Sequence, residues 1–285
     1  MNVKEWYETG QVTSINELKV FFRRSGRGTS LLCIHGFPSS SWDFERLWDS
    51  LSSRFDTIAP DLIGLGKSAK PKIPLSVALQ ADMIEALLIQ NDIENAHILA
   101  HDLGDTVAQE LLARQSANSS RINWLSCLFM NGGIFPETHR PLLIQKLLIS
   151  SLGPLFAKLI SKKSFGKNMR DIFSKSHPPS DEFIEETWKL IIAEKGILMI
   201  PRLIRYMKER VKYRERWVLP LTQNVVPIGL INGIEDPISG KHMADRFSEL
   251  VPNAYIVLLD HSGHYPHLET PDDVLKAVFN FHDQL

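Results

Sequence analysis

The sequence predicts an α/β fold: a mostly parallel sheet flanked by helices, with a helical cap inserted late in the chain. Three observations carry this expectation. Apolar runs of strand length, such as "SLLCIHG" (30–36) and "AHILAHD" (96–102), recur through the first 133 residues without polar interruption, as strands buried on both faces do. Helical patterns separate these runs, and strand–helix alternation builds a parallel sheet with right-handed crossovers. After Gly133 the alternation gives way to helices alone and resumes only at 218.

Taken in order, "LKVFFRR" (18–24) alternates loosely and reads as a first strand, followed by 30–36. A helical pattern over 41–51 leads to the apolar run "RFDTIAPD" (54–61). Helices over 75–90 and 104–116 flank the strand 96–102, and "NWLSCLFMNGG" (123–133) is the next strand. Residues 134–217 form the cap, broken at Gly153-Pro154, His177-Pro-Pro179 and Pro201. The core then continues over 218–285 with "VVPIGLING" (225–233), a helix near 239–250, "AYIVLLD" (254–260) and a last helix near 272–283. An insertion after a strand covers the carboxyl ends of the strands, where ligands bind in such sheets.

Composition narrows the function classes. The chain has 285 residues, 44% hydrophobic and 23% charged, which is ordinary for a folded domain with a sizeable core. Its formal net charge is −1, so no global field draws it to nucleic acid, and a small-molecule substrate is the expected partner. Cys33 and Cys127 both lie in apolar runs and read as buried free thiols. The start "MNVKEWYETG" has no apolar leader core, and no apolar run reaches the ~18 residues of a membrane span. The expectation is a cytoplasmic protein without stable membrane insertion, and its oligomeric state is left open.

Polar residues cluster just past the strand ends: His35, Asp61, Asp102, Asn131, Asp236 and His264. Any one alone reads equally as a helix cap or a hydrogen-bonded core residue. Their surroundings change the balance. "HGFP" (35–38) joins a permissive Gly36 to a stiff Pro38 and can aim the Phe37 N–H at a developing oxyanion. "AHDLG" (100–104) has the small-x-acid-x-Gly form of a nucleophile elbow, with Asp102 where serine hydrolases place Ser. The elbow offers the Leu103 N–H as a second oxyanion donor. "HSGHYPHLE" (261–269) supplies His264 as base, and Asp236 in "NGIEDP" can orient it. An aspartate needs no base to ionise, since its reference pKa is ~3.9, so the histidine serves the second half-reaction. No G-x-S-x-G occurs, which argues against a serine esterase.

The stretches "HGFPSSSWDFERL", "APDLIGLGKSAKP", "AHDLGDTVAQELL", "GIEDP" and "GHYPHLE" together resemble the α/β-hydrolase family, specifically its aspartate-nucleophile branch of epoxide hydrolases and haloalkane dehalogenases. "NGGIFPETHRPLL" (131–143) further resembles the mesoderm-specific transcript proteins of animals. The resemblance implies an eight-stranded sheet and a hydrolase that forms a covalent alkyl-enzyme ester, with no cofactor and no metal. It implies Tyr206 as a cap tyrosine that protonates an epoxide oxygen, and Trp217 as the aromatic closing the cap. His35 and Asn131 are placed beside the substrate, Asn131 standing where some relatives carry the orienting acid. Haloalkane dehalogenases bind halide through a Trp after the nucleophile and an Asn after "HG"; here those positions hold Leu103 and Phe37, which favours an epoxide. A dehalogenase, an ester, lactone or lipid hydrolase, and a non-catalytic binder of small apolar ligands are the alternatives.

Other features carry less. "GLGKS" (64–68) fails as a phosphate loop because Asp61 stands where Gly is required. His242, His261, His264 and His267 are read as loop and catalytic residues rather than metal ligands. The cap stretch "PLLIQKLLISSLGPLFAKLISKK" (141–163) packs over the site, forms a lipophilic substrate entrance or makes a loose membrane contact. "ERVKYRERW" (209–217) reads as a solvated helix face.

Overall fold

A computed structural model describes residues 1–285. Its sheet has eight strands: β1 (Gln11–Ile15), β2 (Leu18–Ser25), β3 (Ser30–Ile34), β4 (Asp56–Pro60), β5 (Asn95–His101), β6 (Asn123–Met130), β7 (Ile228–Gly233) and β8 (Tyr255–Leu259). The spatial order is β1-β2-β4-β3-β5-β6-β7-β8. β2 pairs antiparallel with β1 and β4, and every other pairing is parallel. This is the α/β-hydrolase arrangement that the sequence predicts.

The strands form where they do because both faces of the sheet are covered. On β3, Leu31 and Cys33 join a core with Trp6, Trp48 and Phe281, while Leu32 and Ile34 join one with Leu87, Val107 and Phe129. Alternate residues of a strand point to opposite faces, so these are the two sides of one sheet. Helices α1 (Val3–Glu8), α2 (Trp48–Arg54), α3 (Val77–Gln90) and α4 (Leu103–Ser116) follow in the first part of the chain. Between β6 and β7 the chain is helical: α5 (Leu143–Leu148), α6 (Gly153–Leu159), α7 (Lys162–Ile172), α8 (Asp181–Ile192), α9 (Ile200–Leu203), α10 (Tyr206–Lys212) and α11 (Arg214–Thr222). α11 therefore runs on past residue 217. Helices α12 (Lys241–Leu250), α13 (Pro266–Glu269) and α14 (Pro271–His282) complete the fold.

Two elements differ from the sequence reading. The single helix expected over 41–51 is a 3₁₀ turn, Ser41–Phe44, followed by α2. The Ser41 N–H donates to the buried Asp61 carboxylate at 2.8 Å, which ties the start of the turn to the loop after β4. β1, "QVTSI", has only Ile15 buried, so an edge strand reads as polar chain.

Candidate active site

The turn between β5 and α4 is tight, and its side chains explain why. Asp102 lies at φ 47°, ψ −103°, in a region that costs a non-glycine residue energy. Its side chain makes no capping hydrogen bond to α4, so the carboxylate is not occupied as a helix cap. Gly104 is required by close approach: a Cβ there would stand 2.2 Å from the Ile34 carbonyl oxygen. Gly36 meets the elbow from the other side, where a Cβ would be 2.9 Å from that of Asp102.

The carboxylate is held asymmetrically. The Phe37 N–H donates to Oδ2 at 3.0 Å, and the Tyr206 hydroxyl donates to Oδ1 at 3.3 Å. Leu103 begins α4, and its N–H is one of the first-turn donors that a helix leaves without an internal partner. Asp236, in the loop after β7, accepts from His264 Nδ1 at 2.8 Å. The same oxygen accepts from Ser239 Oγ at 2.7 Å and Asn131 Nδ2 at 3.1 Å, and the Ile238 N–H holds the other at 2.7 Å. Asp102 and His264 face one cavity of about 100 Å³, walled by apolar side chains including Leu148, Phe165, Met169 and Ile200.

Burial and charge oppose each other at these groups. Burial alone pushes the His264 pKa down, but Asp236, through charge and hydrogen bond, and then Asp102 lift it to about 9. Burial pushes Asp236 up, and His264 and its other donors hold it at about 2. Burial likewise raises Asp102, yet His264, Arg210 and the Phe37 N–H together hold it below the ordinary carboxylate value. Both shifts favour the charged forms, an ionised carboxylate and a protonated imidazole.

The structure brings Phe37, Asp102, His264 and Tyr206 to one place and takes three expected residues elsewhere. His35 is fully buried: Nδ1 contacts the Gly36 carbonyl at 2.8 Å and Nε2 accepts the Leu62 N–H at 2.9 Å, so it fixes loops and does not line the cavity. Asn131 is committed to Gly233 and Asp236, which makes it a support of the Asp236 loop rather than a substrate contact. Trp217 donates its indole N–H to Glu110 at 2.7 Å and packs against Tyr213, clear of the cavity.

Arg210 is the residue the sequence concealed. The 209–217 stretch is not a uniformly solvated face, for Arg210 is 2% exposed while Val211 is 68% exposed. Its guanidinium donates to the Asp102 carbonyl at 3.0 Å and to Thr106 Oγ1 at 2.6 Å, and lies over the Tyr206 ring at 4.6 Å. The available signal was spacing: Tyr206 and Arg210 stand i,i+4 on α10 and share a face. Asp43, His101 and His267 form a second buried group, with one potential ligand atom each inside 4.8 Å of the others. His101 Nε2 is committed to the His264 carbonyl at 2.7 Å, which leaves Nδ1 and both His267 nitrogens to hold a water or a metal ion. His242 and His261 take no part in this group.

The chain is similar throughout its length to known proteins. It is 37% identical over 289 aligned residues to the mesoderm-specific transcript homolog protein of Homo sapiens, covering 97% of this chain and 86% of that one. It is 32% identical to LipZ of Mycobacterium tuberculosis, covering 98% and 97%. Among solved structures, the epoxide hydrolase CorEH superposes with a TM-score of 0.76 at 19% identity, covering 97% of this chain and 99% of that chain, a likeness of fold. The model of the alpha/beta hydrolase family matches residues 31–277, and the chain belongs to that family.

Proposed function

We propose that this hydrolase uses Asp102 as a nucleophile toward the epoxide of a small lipophilic substrate. The observation that carries the reading is the asymmetric hold on a carboxylate that lines an apolar cavity: one oxygen is fixed by a backbone N–H and the other accepts from the Tyr206 hydroxyl behind it. Oδ1 attacks an epoxide carbon, the carbon–oxygen bond opens, and the Tyr206 hydroxyl protonates the leaving oxygen. The proton carried by His264 returns to the tyrosinate, leaving a neutral imidazole and an ester on Asp102. Esterification removes the Asp102 charge, one of the influences that kept His264 protonated. His264 then takes a proton from water as that water adds to the ester carbonyl. The N–H groups of Phe37 and Leu103 hold the oxyanion, a contribution of typically ~100-fold or more per donor. Collapse expels the diol, which takes the imidazolium proton. The new carboxylic acid returns a proton to His264 and restores the resting pair.

Neither Phe37 nor Leu103 carries a side-chain donor for a departing halide, which supports epoxide over haloalkane. Burial, then the Asp102 charge, raises the Tyr206 pKa, so it is present as the phenol that such a step requires. Tyr206→Phe is therefore expected to slow alkylation of Asp102 by an epoxide about 100-fold, as loss of a general acid does. Alkylation by a bromoalkane, which needs no proton, is expected to be unchanged. Adduct formation followed by intact-protein mass spectrometry measures both, and equal slowing of the two would leave Tyr206 a packing role only.

A further inference from the structure

α5 and α6 pack on one another, and they and the turn between them carry a cluster of exposed apolar side chains. Leu143 is 73% exposed, Leu152 and Leu155 each 57%, and Leu159 69%. Leu152, Leu155 and Leu159 recur at helical spacing and share a face. Between Arg140 and Arg170 there is no acidic residue and there are seven basic ones, in a chain whose net charge is −1. Lys162, Lys167 and Arg170 pair with Glu185, Asp171 and Asp181. Arg140, Lys146, Lys158 and Lys163 are exposed and make no ion pair. The inward side chains of the same stretch, among them Leu142, Ile144, Leu148 and Ile160, wall the cavity above Asp102. One short stretch is thus apolar and cationic outside and forms the cavity wall inside.

We infer that this face docks on an anionic phospholipid surface and that the substrate passes from the bilayer to Asp102 through the wall behind it; the second clause rests on the hydrolase reading above, the first does not. Leucines enter the acyl boundary while lysines meet lipid phosphates, the pattern of a peripheral amphipathic contact. No helix is long and apolar enough to cross a membrane, so the contact is at the surface. A second copy is the poorer occupant, because a two-fold contact through this face would set its unpaired lysines against their own images.

Co-sedimentation of the full chain with phosphatidylcholine vesicles containing about one-third phosphatidylserine tests this. Binding is expected, at least tenfold stronger than to pure phosphatidylcholine vesicles. Replacing Leu143, Leu155 and Leu159 together by Ser is expected to weaken partitioning about 100-fold or more, with the thermal midpoint held, since all three side chains are already exposed. Lys146→Glu with Lys158→Glu is expected to remove the preference for anionic vesicles. Equal binding by wild type and the leucine variant, or no binding to the anionic vesicles, overturns the proposal. So does a wild-type dimer that the leucine variant renders monomeric. Asp102→Asn is expected to dock as wild type does, so failure of the hydrolase reading leaves the docking result standing.

Discussion

Asp102→Asn is expected to lower turnover by about 10⁴-fold or more while leaving the protein folded. Residues that act as one catalytic unit cost on that order when the nucleophile is removed. An amide oxygen is a poor nucleophile at a saturated carbon, but the substitution keeps the shape of the side chain. It also keeps an acceptor for the Phe37 N–H, and Asn tolerates the positive φ of 47° at this position better than most residues. Losing the Asp102 charge removes one influence that lifts His264 to about 9, so the imidazole pKa is expected to fall while Asp236 still supports it. Turnover of an epoxide panel and urea unfolding of both proteins measure the effect. Turnover retained by the folded variant would place the nucleophile elsewhere, whereas apolar ligand uptake without turnover in wild type as well would favour a binding protein.

Gly104→Val is expected to cost the largest share of stability of any single change at the elbow, about 3 kcal/mol or more. Its Cβ would stand 2.2 Å from the Ile34 carbonyl oxygen and 2.8 Å from the Ile34 carbonyl carbon, both backbone atoms of a central strand. Neither can rotate aside, so α4 must move away from β3, and overpacking of that kind sits at the upper end of its usual range. Moving α4 also displaces Asp102 from the Phe37 N–H, so activity is expected to fall with stability. The urea midpoint reads the first effect; an unchanged midpoint would mean that the turn is looser than its geometry indicates.

The parallel strands were legible because both of their faces are covered, which makes runs such as 96–102 apolar without a break. β1 was not, since an edge strand with one buried residue leaves no pattern. The 41–51 segment misled because its apolar spacing runs through two separate helical pieces, the turn Ser41–Phe44 and α2. The positions of Asp102, Asp236 and His264 after strand ends pointed to one place, and the structure sets Asp102 and His264 on one cavity with Asp236 bonded to His264. The same position misplaced His35 and Asn131, because a polar residue there serves backbone groups as readily as a substrate. Arg210 was hidden by distance: its partners Asp102 and Thr106 lie more than a hundred residues away, and a basic residue in a charged helix looks solvated until the partner is known.

The central claim is that an ester forms on Asp102 and that His264 removes it. In His264→Gln the first step keeps its nucleophile while the second loses its base, so the intermediate is expected to accumulate. Mixed with a styrene oxide-type epoxide and, separately, with a bromoalkane, this variant can be followed by intact-protein mass spectrometry with peptide mapping. A stable adduct of one epoxide mass is expected on the peptide carrying Asp102, formed faster than any adduct from the bromoalkane. An adduct on a serine, or none on Asp102 while wild type turns the same epoxide over, would contradict the claim.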